Sequence, residues 1–146
     1  MNLILSGGGA MPQTKKVNDL FLSLLKNKQI LYIPIAIDTV KHPYDSCLAW
    51  LKQELNSARN KLSIEMWVEK DIYEKGYGAL LKFGGIYIGG GNTFYLLNEF
   101  KKSEFDKKLV KLLNEIDIPV FGGSAGTLIL QKVLTLQFLM TLMMLD

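Results

Sequence analysis

The sequence holds a single cysteine, Cys47, and a single histidine, His42. One cysteine closes no internal disulfide, which fits a reducing compartment and a cytoplasmic protein. Charge of one sign is also scarce. Lys and Arg number 17 against 14 Asp and Glu, for a net charge of +3, and no block of five like charges occurs. The basic residues therefore read as solvated helix faces rather than a nucleic-acid patch. No secretory leader is expected, because Met1 to Leu5 have no basic flank and the apolar run stops at Gly7. Complete phosphate-binding motifs are absent. Gly89-Gly90-Gly91 is not followed by Gly-Lys-Ser/Thr, and Gly7-x-Gly9 meets Pro12 where a dinucleotide fingerprint wants a third glycine. The nearest acid to the end of the second strand is Asp38, in a loop. Neither an internal repeat nor a low-complexity linker is seen.

What is present suits one globular domain. The chain has 146 residues, 49% apolar and 21% charged, enough to bury roughly 68–70% of its unfolded surface. Short apolar runs alternate with helical periodicity. Asn2-Leu3-Ile4-Leu5, then Ile30 to Ile33 with Ile35 and Ala36, then Leu62 to Val68 in alternation, Ile86-Tyr87-Ile88 and Pro119-Val120-Phe121 predict five strands. Pro34 places the end of the second near a sheet edge or top. Between them, Thr14 is expected to cap a helix presenting Val17, Leu20, Phe21, Leu24 and Leu25. A second helix follows Pro43, with Leu48, Leu51, Leu55 and Ala58 in step. Residues 71–83 predict a weak helix broken by Gly76 and Gly78. Asn92 is an N-cap for a helix through Phe100. Ser103, with Asp106 at the capping-box position, is expected to open another. The β-α order implies an α/β fold of three layers, with a mostly parallel sheet between helices. Ligands in such sheets bind beyond the carboxyl ends of the strands. Three glycine clusters, 7–9, 89–91 and 122–123, fall at those ends.

Gly122-x-Ser124-x-Gly126 has the form of a nucleophile elbow. A serine on a tight strand-to-helix turn needs small residues two places before and after, so that strand and helix can approach. The turn lifts the hydroxyl into the crevice and sets the Ala125 amide at a helix N-terminus, where an oxyanion is favoured. The bland alternative is a glycine-rich turn with a serine N-cap. Gly89-Gly90-Gly91 lets the backbone come close to a ligand and turn its N–H groups outward.

Ile88-Gly89-Gly90-Gly91-Asn92-Thr93 and Gly122-Gly123-Ser124-Ala125-Gly126 together resemble the paired motifs of the peptidase E family, aspartyl dipeptidases related to cyanophycinases. The opening strand with Gly7-Gly8-Gly9 and the Ile33-Pro34 strand end are also similar, and the likeness runs to about Lys132. The resemblance implies a sheet of the class I glutamine amidotransferase kind, a serine peptidase with Ser124 as nucleophile, and no metal or cofactor. It further implies an oxyanion hole of the Gly91 and Ala125 amides, with Gly90, Asn92 and Thr93 shaping the substrate rim. The implied partner is a small peptide, with N-terminal aspartate, without nucleic acid or membrane; a homodimer is left open. The basic residue that would recognise an aspartate cannot be singled out.

One departure matters. In the family a histidine beyond the serine, oriented by an acid, serves as base. Here no histidine follows Ser124, and the only later carboxylate side chain is Asp146. The expectation is a chain truncated at its C-terminus and weak or inactive by itself, with residues 1–132 an incomplete hydrolase-type domain and 133–146 an atypical apolar tail. From Leu128 to Leu145 the one charge is Lys132, yet Gln131, Thr135, Gln137 and Thr141 break the run, so a buried helix or a non-native end fits better than a membrane span. His42, near Asp38 and Asp45, reads as an exposed loop residue before Pro43, on the wrong side of the serine to be the family's base. Cys47 reads as core. The alternative function is a non-catalytic α/β module that binds an anionic small molecule or nucleotide.

Overall fold

The computed structural model describes residues 2–143, with side chains described from residue 2 to residue 135. Five strands, β1 (Asn2–Ser6), β2 (Gln29–Ile33), β3 (Ser63–Met66), β4 (Gly85–Ile88) and β5 (Pro119–Gly123), form one sheet in the order β1-β5-β4-β2-β3. Every pairing is parallel, with Ile4 opposite Phe121, Tyr87 opposite Phe121 and Tyr32 opposite Tyr87. All five carboxyl ends therefore share one rim.

Among the described residues seven helices accompany them: α1 (Lys15–Leu24), α2 (Tyr44–Glu54), α3 (Ser57–Asn60), α4 (Glu69–Glu74), α5 (Thr93–Lys102), α6 (Phe105–Glu115) and, after β5, α7 (Ala125–Met143), with a 3-10 turn at Tyr77–Leu80. Strand alternation sorts the core into two layers. On one face Ile4, Ile30, Tyr32, Tyr87 and Phe121 pack with Phe21 of α1 and Cys47 and Leu51 of α2. On the other, Leu31, Ile33, Ile86, Ile88 and Val120 meet α4, α5, α6 and α7 through Ile72, Leu96, Phe100, Leu109 and Ile129.

This split follows from right-handed crossovers. The chain moves rightwards along the sheet from β1 to β2 to β3, and leftwards from β3 to β4 to β5, so the connecting helices change face. Neighbours β1 and β5 send their helices to opposite faces, and so do β4 and β2. A crevice opens where neighbouring strands diverge in this way, and the three glycine clusters sit there.

Several local expectations are corrected. Thr14 does not cap α1 with its side chain; its hydroxyl donates to Glu54 Oε2 at 2.8 Å. Leu20 is half-exposed at 50%, although its spacing placed it on the buried face of α1. Strand β2 stops at Ile33, so Ile35 and Ala36 lie in the loop, and Pro34 stands at the rim end of an interior strand. Ser103 is the C-cap of α5; Glu104, at φ 55°, precedes α6, and Asp106 pairs with Lys101 instead of closing a capping box. The second predicted helix breaks at left-handed Asn56, φ 46°, with α3 beyond it. Helix α7 runs unbroken across residue 133, and Val133 is buried. Side chains beyond residue 135, which hold most of the apolar tail with Met140, Met143 and Met144, lie outside the described residues. Among the described residues no helix is long and apolar enough to cross a membrane.

Candidate active site

Ser124 stands between β5 and α7 with φ 50°, in the left-handed region. An ordinary serine N-cap takes extended backbone angles, whereas Ser124 forms a strained bend. Its surroundings hold the bend in place. The Ser124 N–H donates to Ser6 O at 2.8 Å, at the end of β1. Thr127 Oγ1 lies 2.7 Å from Ser6 O and 2.6 Å from Gly122 O, so one hydroxyl ties the first turn of α7 to both strand ends. Ser124 O accepts from Leu128 N–H at 3.3 Å and begins the helical ladder.

The small neighbours are required by space. A Cβ on Gly122 would lie 2.7 Å from the Gly126 carbonyl carbon, and one on Gly126 would lie 2.5 Å from Ile88 O. The elbow thus brings α7 against both β5 and β4. Ser124 itself is exposed, and as the residue before α7 it places the Ala125 N–H at a helix start, where no intrahelical acceptor exists.

The triple-glycine bend faces it. A Cβ on Gly90 would sit 3.0 Å from Ser124 Cβ and 3.6 Å from Oγ. Gly91 has φ 137°, and a Cβ there would be 2.1 Å from Ala36 O; the next amide, Asn92 N–H, donates to that same oxygen at 2.6 Å. The bend is therefore locked onto the segment after β2. Asn92 Oδ1 accepts from Tyr95 N–H at 3.0 Å, the N-cap expected of it, and Thr93 is the first residue of α5. From the other side, Gly8 at φ 103° comes within 3.7 Å of Ser124 Cβ, measured to its would-be Cβ. The structure thus sets Gly90 against Ser124, with Ala125 next to the serine and Gly91, Asn92 and Thr93 following Gly90 along the chain.

A cavity of about 390 Å³ opens beside Ser124. Its floor is aromatic: Tyr87 and Phe121 stack at 4.2 Å, and Tyr32 meets Tyr87 edge-on at 5.9 Å. Burial is the largest influence on both phenols and pushes them well above the usual phenol range, so the floor is uncharged. Burial also raises the Cys47 thiol, whose Sγ points at His42 O from 3.6 Å. Cys47 is 8% exposed, a core residue that nonetheless forms part of the wall. His42 is exposed, as expected of a loop histidine, but it lines this cavity together with Ser124. The place of His42 after the second strand is compatible with the crevice, but the sequence does not put Trp50 and Ser46 there; no local period reports where a β2–α2 loop lands on the rim. Among the described residues, no group of three or more His, Cys, Asp or Glu is arranged to hold a metal ion.

The loop after β1 is anchored by a buried carboxylate. Glu54 accepts from Met11 N–H at 2.9 Å, from Thr14 Oγ1 at 2.8 Å and from Asn18 Nδ2 at 3.3 Å. Across the rim, Glu69 accepts from the Tyr44 hydroxyl at 2.8 Å and the Tyr95 hydroxyl at 3.0 Å, tying the starts of α2, α4 and α5 together.

Known proteins share this architecture. A crystal structure of a protein from Listeria monocytogenes EGD-e, assigned to peptidase E, is 30% identical and superposes with a TM-score of 0.62 over 86% of this chain and 59% of its own. A peptidase from an acI-B1 Actinobacterium, 18% identical, is similar in fold, with a TM-score of 0.55 over 85% of this chain and 54% of its own. The chain thus spans less than two thirds of the length of either protein. The sequence model of Peptidase family S51 matches residues 3–140, both glycine bends and the elbow included, and the chain belongs to that family.

Proposed function

We propose that the chain carries the nucleophile half of a serine-type peptidase acting on small peptides. Ser124 Oγ is the nucleophile, and the backbone N–H groups of Gly91 and Ala125 receive the oxyanion that forms on the scissile carbonyl. Gly90, Asn92 and Thr93 shape the rim against which the peptide lies. The left-handed bend at Ser124, φ 50°, carries this reading: strain of this kind persists where the surroundings enforce it, and it gathers at functional sites. Two fixed amides aimed at a developing negative charge are worth about 10²–10³ in rate each.

Attack by a serine hydroxyl also needs a base to take its proton. The sequence has one imidazole, His42, and none after Ser124. We therefore expect weak or no turnover from these 146 residues alone, on the order of 10⁶ below an enzyme with its base. An N-terminal aspartate in the substrate, implied by the resemblance, would need a cation; among the described residues lining the cavity His42 is the one basic side chain. The absence of Lys and Arg from that lining also disfavours a non-catalytic role in binding anions or nucleotides. Cytoplasmic placement, with no nucleic-acid or membrane partner, belongs to the same reading.

A fluorophosphonate probe tests it. Slow labelling confined to Ser124, and lost in Ser124→Ala, is the expected result, with no steady hydrolysis of Asp-containing dipeptides. Labelling elsewhere would remove the nucleophile assignment, and steady hydrolysis would remove the claim of weak activity.

A further inference from the structure

The cavity beside Ser124 differs in character from the polar rim above it. Its floor is built by Tyr32, Tyr87 and Phe121, from three adjacent strands, each 5% exposed or less. Phe21 packs edge-on beneath Tyr87 at 6.0 Å and Phe121 at 5.8 Å, so the rings are fixed from behind. Cys47 and Trp50 of α2 form the wall. Among the described residues lining it there is no Lys, Arg, Asp or Glu. At about 390 Å³, the space lies within the roughly 300–1,000 Å³ usual for small-molecule sites.

These features select by chemistry. A carboxylate entering this space would give up its hydration for aromatic faces, a buried thiol and a few hydroxyls, with exposed His42 the one basic side chain to replace the water. An aromatic or branched aliphatic group would bury apolar surface and meet ring edges and faces in the geometry that aromatic pairs favour. We propose that this cavity is the subsite for one substrate residue flanking the scissile bond, and that it takes an aromatic or large aliphatic side chain in preference to an acidic one. Its role as a substrate subsite rests on Ser124 being the nucleophile; its selectivity does not. The preference concerns the residue seated in this cavity and leaves the other side of the scissile bond unassigned.

Two capped amides that differ only in side chain, N-acetyl-phenylalanine amide and N-acetyl-aspartic acid α-amide, test the selectivity by ligand-observed NMR titration of the 146-residue chain. The phenylalanine amide should bind at least about tenfold tighter, the order of discrimination that an apolar pocket reaches. Cys47→Phe, which fills the space, should abolish that binding. Ser46→Arg, an exposed position on the cavity wall, should narrow or reverse the preference and carries the test should Cys47→Phe not fold. His42→Ala should leave the preference in place. Equal affinities, tighter binding of the aspartate amide, no binding of either, or loss of the preference in His42→Ala would each overturn the proposal. Fluorophosphonate labelling of the same sample keeps the two readings apart. Labelling at Ser124 without a phenylalanine preference overturns this inference alone. A phenylalanine preference without labelling upholds the cavity's selectivity and removes the peptidase reading.

Discussion

A serine held at φ 50° pays for its position, since the left-handed region crowds any side chain that carries a Cβ. The Ser6 and Gly122 carbonyls and the Thr127 hydroxyl hold it there. Glycine at the same position carries no such strain. Ser124→Gly is therefore expected to stabilise the fold by up to about 1 kcal/mol, net of the extra freedom that glycine gains when unfolded. Fluorophosphonate labelling should disappear in the same variant. Urea unfolding reads the first effect and intact mass the second. A stability loss of similar size would mean that Ser124 supports the fold rather than straining it.

Two elements carry charge in ways that stability measurements can separate. Glu54 of α2 is 9% exposed and gathers three donors from the β1–α1 loop and α1. In Glu54→Leu those donors lose their acceptor, a loss of about 1–3 kcal/mol, whereas Glu54→Gln retains an acceptor and should lose less. Gly8 and Gly9 lie in the same loop and line the cavity, so labelling of Ser124 should slow along with the stability loss. Normal stability in Glu54→Leu would show the anchor to be idle.

On β3, partial burial works against the charged form of Glu65. Hydrogen bonds from Lys82 at 2.5 Å, Trp67 at 2.8 Å and Lys75 at 3.3 Å outweigh it and bring the carboxyl from 4.5 down to about 2. A group depressed on folding contributes its stability above its unfolded value and loses it as pH falls towards the folded one. The wild-type chain should therefore lose stability between pH 4.5 and about 2, and Glu65→Gln should flatten part of that slope. The side chain is 37% exposed, so solvent screening keeps the effect small. Identical slopes in the two proteins would contradict the assignment.

These elements also mark where a sequence can be read. The strands were legible because buried parallel strands are short apolar runs closed by glycine, as at Ile86-Tyr87-Ile88. The elbow and the triple glycine were legible because steric need fixes residue type: a Cβ on Gly122 would lie 2.7 Å from the Gly126 carbonyl carbon. Capping was less legible at Thr14 and Ser103. Thr14 turns to Glu54, forty positions away in the chain, and Asp106 is taken by Lys101. A capping pattern is local, and a buried carboxylate or lysine elsewhere can claim the same hydroxyl or carboxylate. The cavity was illegible for a related reason. Tyr32, Cys47, Tyr87 and Phe121 come from four elements, and each reads as ordinary core until the sheet order brings them together.

At the scale of the molecule, neighbouring strands send their helices to opposite faces at two places, between β1 and β5 and between β4 and β2, and the glycine bends occupy the crevice this opens. Ser124 lies where they meet, over an aromatic floor and under the Gly90–Gly91 bend. The central claim is that this arrangement is a nucleophile facing its own oxyanion hole. The crystal structure of the chain after reaction with a small uncharged fluorophosphonate is the most direct test. The account predicts a phosphonyl group on Ser124 Oγ, with its oxygen about 2.7–3.1 Å from the N–H groups of both Gly91 and Ala125. An adduct on another residue, or on Ser124 with its oxygen turned away from both amides, would contradict it.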